Sequence, residues 1–494
     1  MMRMTIGQVA EAVGGRLEGT PGEAPLCDSA VSDSRQVRPG AVFVAIKGER
    51  VDGHDYLAQA AAGGAVCALV DHVVDGAPLA QIVVDDTVAA LGGLARRNLE
   101  LRREAAQTAG ATPFTVVGLT GSVGKTTTKD LLATMLARMG RTVAPVGSFN
   151  NDIGLPLTAC QVGPDTRFLV AEMGANHVGE IAGLTRIAPP DIAIVLKVGV
   201  AHLGEFGSVE RIAQAKSEIV RGLVPGGMAI LNADDPHVAA MAGLAPGEVR
   251  FFGIAPANFG RDWLHAEAVA TDDADRASFD LVAADGQSGH VTLAIPGAHN
   301  VMNALAAASA AHTLGLPLAD VAACLASQRT ISPHRMAVST VARGGAAFTL
   351  IDDSFNANPD SMRAGLDGLA RWGRGAARRP FRVAVLGAML ELGGDEAALH
   401  RGIGAYAAGL GIDHIVAVGN GTDGLDALAA DLADGARQAG ADAGVSVDCV
   451  DGIDAADAIV TELARAHAGT VVLLKGSHAS GLASLARRWE EPAA

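Results

Sequence analysis

Residues 116–136 read VVGLTGSVGKTTTKDLLATML. An apolar run meets a glycine-rich turn, then Lys125, three threonines and an apolar-periodic stretch. This order predicts a strand, a phosphate-binding loop and a helix. The general Walker pattern G-x-x-x-x-G-K-[ST] is not met, because Leu119 stands where the first glycine belongs and Gly118 comes one place early. What remains is T-G-S-V-G-K-T at 120–126. Its physics is intact. Gly121 and Gly124 let the backbone N–H groups of the loop, Ser122 and Val123 included, converge on phosphate oxygens. Lys125 offsets β/γ-phosphate charge, the Thr126 hydroxyl is placed to ligate Mg²⁺, and the helix opening through Thr127 turns its positive end to the anion. The bland alternative is a glycine-rich turn with an incidental lysine. A kinase, a switch GTPase or a ligase would all use such a loop. The base-reading N-K-x-D of GTPases is missing, since Asn232-Ala233-Asp234 lacks the lysine, so ATP is the expected nucleotide.

Outward from this loop, strands and helices alternate. FTVVGLT, FLVAEMG (168–174), IAIVLKVG (192–199) and MAILNA (228–233) are short apolar runs, each ending in a turn. They predict a parallel sheet covered on both faces. Residues 249–295 look antiparallel, with a hairpin around Asp285-Gly286, and 299–315 reads as a helix. Upstream, AVFVAIKG (41–48) is a strand candidate and 86–108 a helix, with a linker-like stretch at 108–113. From about 330 a third set of strand-plus-turn units begins: TLIDDSF (349–355), FRVAVLGAM (381–389), IDHIVAVGNG (412–421) and TVVLLKGSH (470–478). The Arg/Gly stretch 371–380 reads as a solvated loop. The expected fold class is α/β in three domains. Residues 1–112 form a small mixed α/β domain, 113–331 a P-loop ATPase-like parallel-sheet domain, and 332–494 a Rossmann-like doubly wound domain.

Composition narrows the function. Apolar residues make up 49% of the 494 and the net charge is −16. The chain can therefore build sizeable cores, and it lacks the basic footprint of a nucleic-acid binder. Five scattered cysteines without a C-x-x-C pair indicate neither a disulfide framework nor a zinc site. The N-terminus lacks a signal-peptide core, and the Ala-rich run after Asn303 is broken by His312, Gly315 and Pro317. A soluble, cytoplasmic monomer with no membrane or nucleic-acid partner is expected. Only six of the 38 basic residues are lysine: 47, 125, 129, 197, 216 and 475. Where any surface cation serves, the chain uses Arg, so its lysines are enriched for positions needing a compact, nucleophilic amine.

Several polar residues stand where chemistry is done. Glu172 and His202 follow the second and third central strands, at the carboxyl edge that faces the P-loop crevice, where Glu172 could hold a metal and the shared edge favours a functional His202. A helix N-terminal Glu and a structural His are the plainer readings. Lys216 falls in a helical stretch, ERIAQAKSEIV, as an ordinary polar-face lysine unless the lysine bias counts. Asn150 and Asn151 suit either a ligand or a turn. DDSFNANPDSM (352–362) carries too much polar content for a simple turn, and Lys475 stands at a strand–helix junction suited to phosphate or carboxylate.

Taken together, these segments resemble the Mur ligase family of ATP-dependent amide-forming enzymes in peptidoglycan precursor synthesis. The resemblance runs through SDSRQVRPGAVFVAIKGERVDGHDY (32–56), LTGSVGKTTTKD (119–130), NNDIGLP (150–156), EMGANHVGEI (172–181), AHLGEFGS (201–208), AKSEI (215–219), PGAHNVMNALAA (296–307), DDSFNANPDSM, MLELG (389–393) and LLKGS (473–477). It favours the branch that joins D-alanyl-D-alanine to UDP-MurNAc-tripeptide. The family's shorter P-loop accounts for Leu119.

The resemblance implies a division of labour. ATP would lie on residues 121–127, with Asn300 and Asn303 on its adenine side and Arg335 and Asp353 closing from the third domain. The γ-phosphoryl would pass to the tripeptide carboxylate, giving an acyl phosphate that the dipeptide amine attacks. Two Mg²⁺ are implied, one beside Thr126 and one held by Glu172, His202 and a carbamate formed from CO₂ on Lys216. Ser34 and Arg35 would hold the UDP end, and Lys47 would also bind substrate. Asn150, Asn151, Asn356, Asn358 and Lys475 would serve the remaining substrate contacts. Three departures stand out: Ala388 replaces an acidic residue, His334 replaces the glycine of P-G-R, and Phe355 replaces a frequent tyrosine. Another ligase of the family (tripeptide-forming or folylpolyglutamate type), a P-loop ATPase without ligation, and a non-catalytic nucleotide-sugar binder remain open alternatives.

Overall fold

A computed structural model describes residues 1–19, 26–48, 50–199, 203–255, 263–329, 331–441 and 444–491. The P-loop strand, Thr115–Thr120, lies inside a nine-stranded sheet. It is flanked in parallel by Phe168–Glu172 on one side and Ile192–Val195 on the other. Outside these lie Thr142–Val143 at one edge and Met228–Asn232, Val249–Gly253 and Trp263–Thr271 toward the other. All seven run parallel, so their carboxyl ends share one edge. The antiparallel part expected from residue 249 starts later, with Arg276–Ala283 and Ser288–Pro296. Their hairpin does turn at Asp285-Gly286, where Gly286 takes φ 83°.

Leu119 is fully buried in the core beneath helix Asn300–Thr313. It is a strand residue and takes no part in the phosphate turn, so nothing requires glycine there. The Ala-rich run forms that helix, which is buried on nearly every side. Small side chains let it lie against both the P-loop helix Lys125–Ala137 and the sheet. Among the described residues no helix is long and apolar enough to cross a membrane.

Residues 1–106 carry a five-stranded sheet in the order Arg16–Glu18, Ala80–Val83, Cys67–Val70, Ala41–Val44 and Ser29–Val31. Helix Thr87–Ala106 joins this unit to the central one. Its Arg102 is 1% exposed and donates to the carbonyls of Thr112 and Thr166, while Asn98 donates to Ala159 and Val162. The third unit is a six-stranded sheet in the order Ala337–Arg343, Ala346–Asp353, Thr470–Lys475, Arg382–Gly387, His414–Val418 and Ser446–Val450. It is parallel except for its first pair.

The second and third units touch at named points. Asp275, on a turn of the central sheet, accepts from Arg371 Nε at 2.7 Å at the end of helix Pro359–Arg371. Asp273 accepts from the backbone of Gly373 and Gly375. The Arg/Gly stretch read as a solvated loop is therefore partly an inter-unit contact. Gly204 and Gly393 meet so closely that a Cβ on either would strike the other's backbone.

Candidate active site

A cavity of about 1910 Å³ opens where the three units meet, with the P-loop in its wall. Gly124 adopts φ 84°, the left-handed region that glycine alone enters freely, and a Cβ there would collide with Asn303 Oδ1. Helix Lys125–Ala137 starts with no side-chain cap, unlike helices Thr87–Ala106 and Glu396–Gly409, which Asp86 and Asp395 cap. Its first N–H groups are left for an anion. Lys125 Nζ lies 2.8 Å from Gly121 O. Burial pushes its ammonium below the ordinary lysine range, with Glu172 opposing and Arg335 adding to the shift. Such a cation gains most when a phosphate arrives beside it. The Ser122 side chain is committed elsewhere, since its hydroxyl accepts from Gly199 N–H at 2.9 Å.

Glu172 closes the adjacent strand and is fully buried. Its Oε1 accepts from Asn150 Nδ2 at 2.8 Å and from the Thr126 hydroxyl at 3.3 Å. Its Oε2 is sealed from solvent with no hydrogen-bond partner. A buried carboxylate with one oxygen on a P-loop threonine and the other without a partner fits a divalent cation. Asn150, expected as a substrate contact, lines the cavity and gives an amide N–H to this carboxylate. Asn151 likewise accepts from Gly154 N–H at 2.9 Å and stabilises the turn into helix Gly154–Ala159.

Lys216 is 1% exposed, not on a polar face as its helical stretch suggested. It lies over the Phe206 ring at 5.7 Å. Burial, with the Lys125 charge adding to it, brings its ammonium down to about 7, against the pull of Glu180 and Glu218. His202 lies outside the described residues.

From the third unit, Asp353 and Lys475 form an ion pair at the ends of adjacent strands, and Lys475 is 1% exposed. Both line the cavity, as do Asn356, Asn358 and Arg335. Asn358 Oδ1 caps helix Pro359–Arg371, accepting from Ser361 N–H at 2.9 Å. Asn356 Oδ1 accepts from the neighbouring Ala357 N–H. Phe355, in place of tyrosine, puts its ring under the Arg335 guanidinium at 4.4 Å. Ala388 is buried, and its carbonyl accepts from Ser477 N–H. Asn300 and Asn303 also line the cavity; Asn303 donates to Asn300 Oδ1, and Asn300 donates to Pro296 O.

The N-terminal unit differs from these expectations. Ser34 donates to Gln59, Arg35 pairs with Asp33, and Lys47 is exposed; none of the three walls this cavity. Asp33, Gln36 and Arg38 do. Sequence reasoning also passed over Lys197 and Asp360, cavity residues 3.9 Å apart on different units. The scarcity of lysine was the signal that could have found Lys197.

Comparison with known proteins settles the family. Residues 119–311 match the Mur ligase middle domain, 334–478 the Mur ligase glutamate ligase domain, and 31–99 the Mur ligase family catalytic domain. A UDP-N-acetylmuramoyl-tripeptide–D-alanyl-D-alanine ligase of Mycobacterium bovis is 41% identical over 98% of this chain and 97% of its own. The chain belongs to the Mur ligase family. An Escherichia coli ligase of the same name is 35% identical over 85% of this Mur ligase and 86% of its own chain. A crystal structure of MurF from Acinetobacter baumannii superposes with a TM-score of 0.82 at 32% identity, covering 99% and 98% of the two chains. MurF ligase from Thermotoga maritima, solved with ADP, gives 0.72 at 29% identity over 94% and 97%. As a Mur ligase, this chain is an ATP-dependent, amide-forming enzyme, and its three-unit α/β architecture is that of these structures.

Proposed function

We propose that this Mur ligase joins D-alanyl-D-alanine to the terminal carboxylate of UDP-MurNAc-tripeptide, at the cost of ATP, in the cytoplasm. The observation that carries the reading is the cavity in which the three units meet around the P-loop, with buried Glu172 in its wall, Oε1 on the Thr126 hydroxyl and Oε2 without a hydrogen-bond partner. The near-full-length similarity to ligases named for that reaction supports it.

A carboxylate is a poor acylating agent at neutral pH. The chemistry therefore starts with an oxygen of the tripeptide carboxylate attacking the γ-phosphorus as the bond to ADP breaks. The dipeptide's neutral amine then attacks the acyl carbon. Phosphate leaves, and the nitrogen loses one proton. Lys125 and the uncapped helix end offset charge on the transferring phosphoryl group. Thr126 and Glu172 would hold Mg²⁺, which supplies further charge neutralisation. Arg335 would reach the nucleotide phosphates, and Asn300 and Asn303 its base side. Asp353 and Lys475 would order the loop that receives the dipeptide. The unit spanning 1–112 would hold the UDP end, 113–331 the ATP and 332–494 the dipeptide. Residues Gln36 and Arg38 now join Ser34, Arg35 and Lys47 as candidates for the first of these.

What supports a carbamate on Lys216 is its burial and an ammonium brought to about 7. A neutral amine attacks CO₂, a C–N bond forms, and the nitrogen proton is released. The product is an anionic ligand suited to a second Mg²⁺ together with Glu172 and His202.

The two-step reading is tested by hydroxylamine trapping. With ATP, Mg²⁺ and UDP-MurNAc-tripeptide but no dipeptide, hydroxylamine is expected to yield the tripeptide hydroxamate and ADP. ATP consumption without hydroxamate would contradict the acyl phosphate.

A further inference from the structure

Residues 331–336, between the central and third units, are clamped on both sides and strained between them. On the central side, Ser332 N–H donates to Asp130 Oδ2 at 2.7 Å, and Lys129 reaches the Ser332 hydroxyl at 3.4 Å. Both partners belong to the P-loop helix. On the other side, His334 Nδ1 lies 2.7 Å from Asp352 Oδ2. Asp352 is 2% exposed, and its Oδ1 accepts the Ser354 hydroxyl at 2.6 Å. The Phe355 N–H donates to the His334 carbonyl at 3.2 Å. His334 is thus tied by side chain and backbone to the strand end that presents Asp353.

The backbone between these clamps is unusual. His334 takes φ 62° and Met336 φ 50°, left-handed values at two non-glycine residues. Such strain persists only where the surroundings over-determine it. Arg335 sits between them. Its side chain lines the cavity over Phe355, and its Nε is sealed from solvent with no hydrogen-bond partner. A guanidinium N–H left bare in the wall that carries the P-loop gains its partner when a phosphate enters.

We propose that His334 and Asp352 are a positioning pair, which holds the linker in its left-handed turn and so aims Arg335 at the nucleotide phosphates. This rests on the reading of Arg335 as an ATP contact. The pair explains why a residue with a side chain occupies a backbone position that glycine would enter without strain. The His334–Asp352 hydrogen bond supplies the constraint that glycine would not.

The test is steady-state kinetics of the full chain with His334→Ala, His334→Gly, His334→Asn, Asp352→Asn and Arg335→Ala, with thermal melts alongside. His334→Ala is expected to lower kcat/KM for ATP roughly ten- to a hundredfold, the loss of a hydrogen bond to a charged group. KM for UDP-MurNAc-tripeptide should stay within about twofold. His334→Gly keeps the backbone but loses the bond, and should be impaired as well. His334→Asn, which tolerates the left-handed region and can still reach Asp352, should recover most of the loss. A purely structural contact would shift the melt and leave the kinetics of the folded enzyme unchanged. Should His334→Ala not fold, Asp352→Asn carries the same expectation with a smaller loss. Wild-type ATP kinetics in His334→Gly and Asp352→Asn, with Arg335→Ala impaired, would overturn the pair. Wild-type kinetics in Arg335→Ala would overturn the Arg335 reading itself, and the pair with it.

Discussion

Asn150 donates its amide N–H to Glu172 Oε1 at 2.8 Å, and the other oxygen of that buried carboxylate has no partner. One residue thus holds one oxygen of the carboxylate, the same oxygen that meets the Thr126 hydroxyl, and the second oxygen is left without a partner. Residues that orient a metal-binding carboxylate typically change metal affinity about ten- to a hundredfold when removed. Asn150→Ala is therefore expected to raise the Mg²⁺ needed for half-maximal activity by about that factor, with KM for both peptide substrates nearly unchanged. A Mg²⁺ titration of initial rates checks it. A rise in KM for UDP-MurNAc-tripeptide at saturating Mg²⁺ would return Asn150 to a substrate contact.

Lys216 holds an ammonium lowered from 10.5 to about 7, with burial the main cause. The unfolded chain therefore binds more protons than the folded one between about 7 and 10.5, and stability rises with pH across that window. In CO₂-stripped buffer, Lys216→Met should be more stable than the parent at pH 6, and that margin should shrink toward pH 9. Denaturant unfolding at the two pH values measures it. The proposed carbamate would form from the neutral amine. Activity should fall on stripping CO₂ and return with bicarbonate, more fully above pH 7 than below. Lys216→Arg, which cannot form the carbamate, should not respond.

Gly124 combines φ 84° with a backbone so close to Asn303 that no Cβ fits. Gly124→Ala should weaken ATP binding at least about tenfold, since both strain and collision deform the loop that cradles phosphate. Isothermal titration with ATP checks this. Gly124→Ala with Asn303→Ala should recover only part of the loss, because relieving the collision leaves the φ strain.

The Asp275–Arg371 pair spans the second and third units, with Asp275 fully buried and Arg371 about a quarter exposed. Removing one partner of a wholly buried pair costs about 3–5 kcal/mol, and the exposure of Arg371 lowers that to roughly 1–3. Arg371→Met should therefore shift the chain toward a more open arrangement, seen as a larger radius of gyration in solution scattering.

Much of this was legible in the sequence where the information is local. The central strands, the P-loop and the Ala-rich helix follow from apolar periodicity and glycine placement. The lysine bias marked all six lysines alike: Lys129, Lys216 and Lys475 are almost fully buried, whereas Lys47 is exposed. What was missed depends on pairing across the fold. Asn150 and Asn151 look alike in sequence, yet one reaches a strand 22 residues on and the other caps its own turn. Asp275 and Arg371 are 96 residues apart, and nothing local marks either as a contact between units. The turn at His334 was visible only as a departure, because a backbone dihedral and a partner 18 residues away define it.

The most direct measurement of the central claim is phosphate release with ATP, Mg²⁺, UDP-MurNAc-tripeptide and D-alanyl-D-alanine, each omitted in turn. Release at the full rate is expected only with all four present, in step with formation of the UDP-MurNAc-pentapeptide. Full-rate release without the dipeptide would contradict the ligase account.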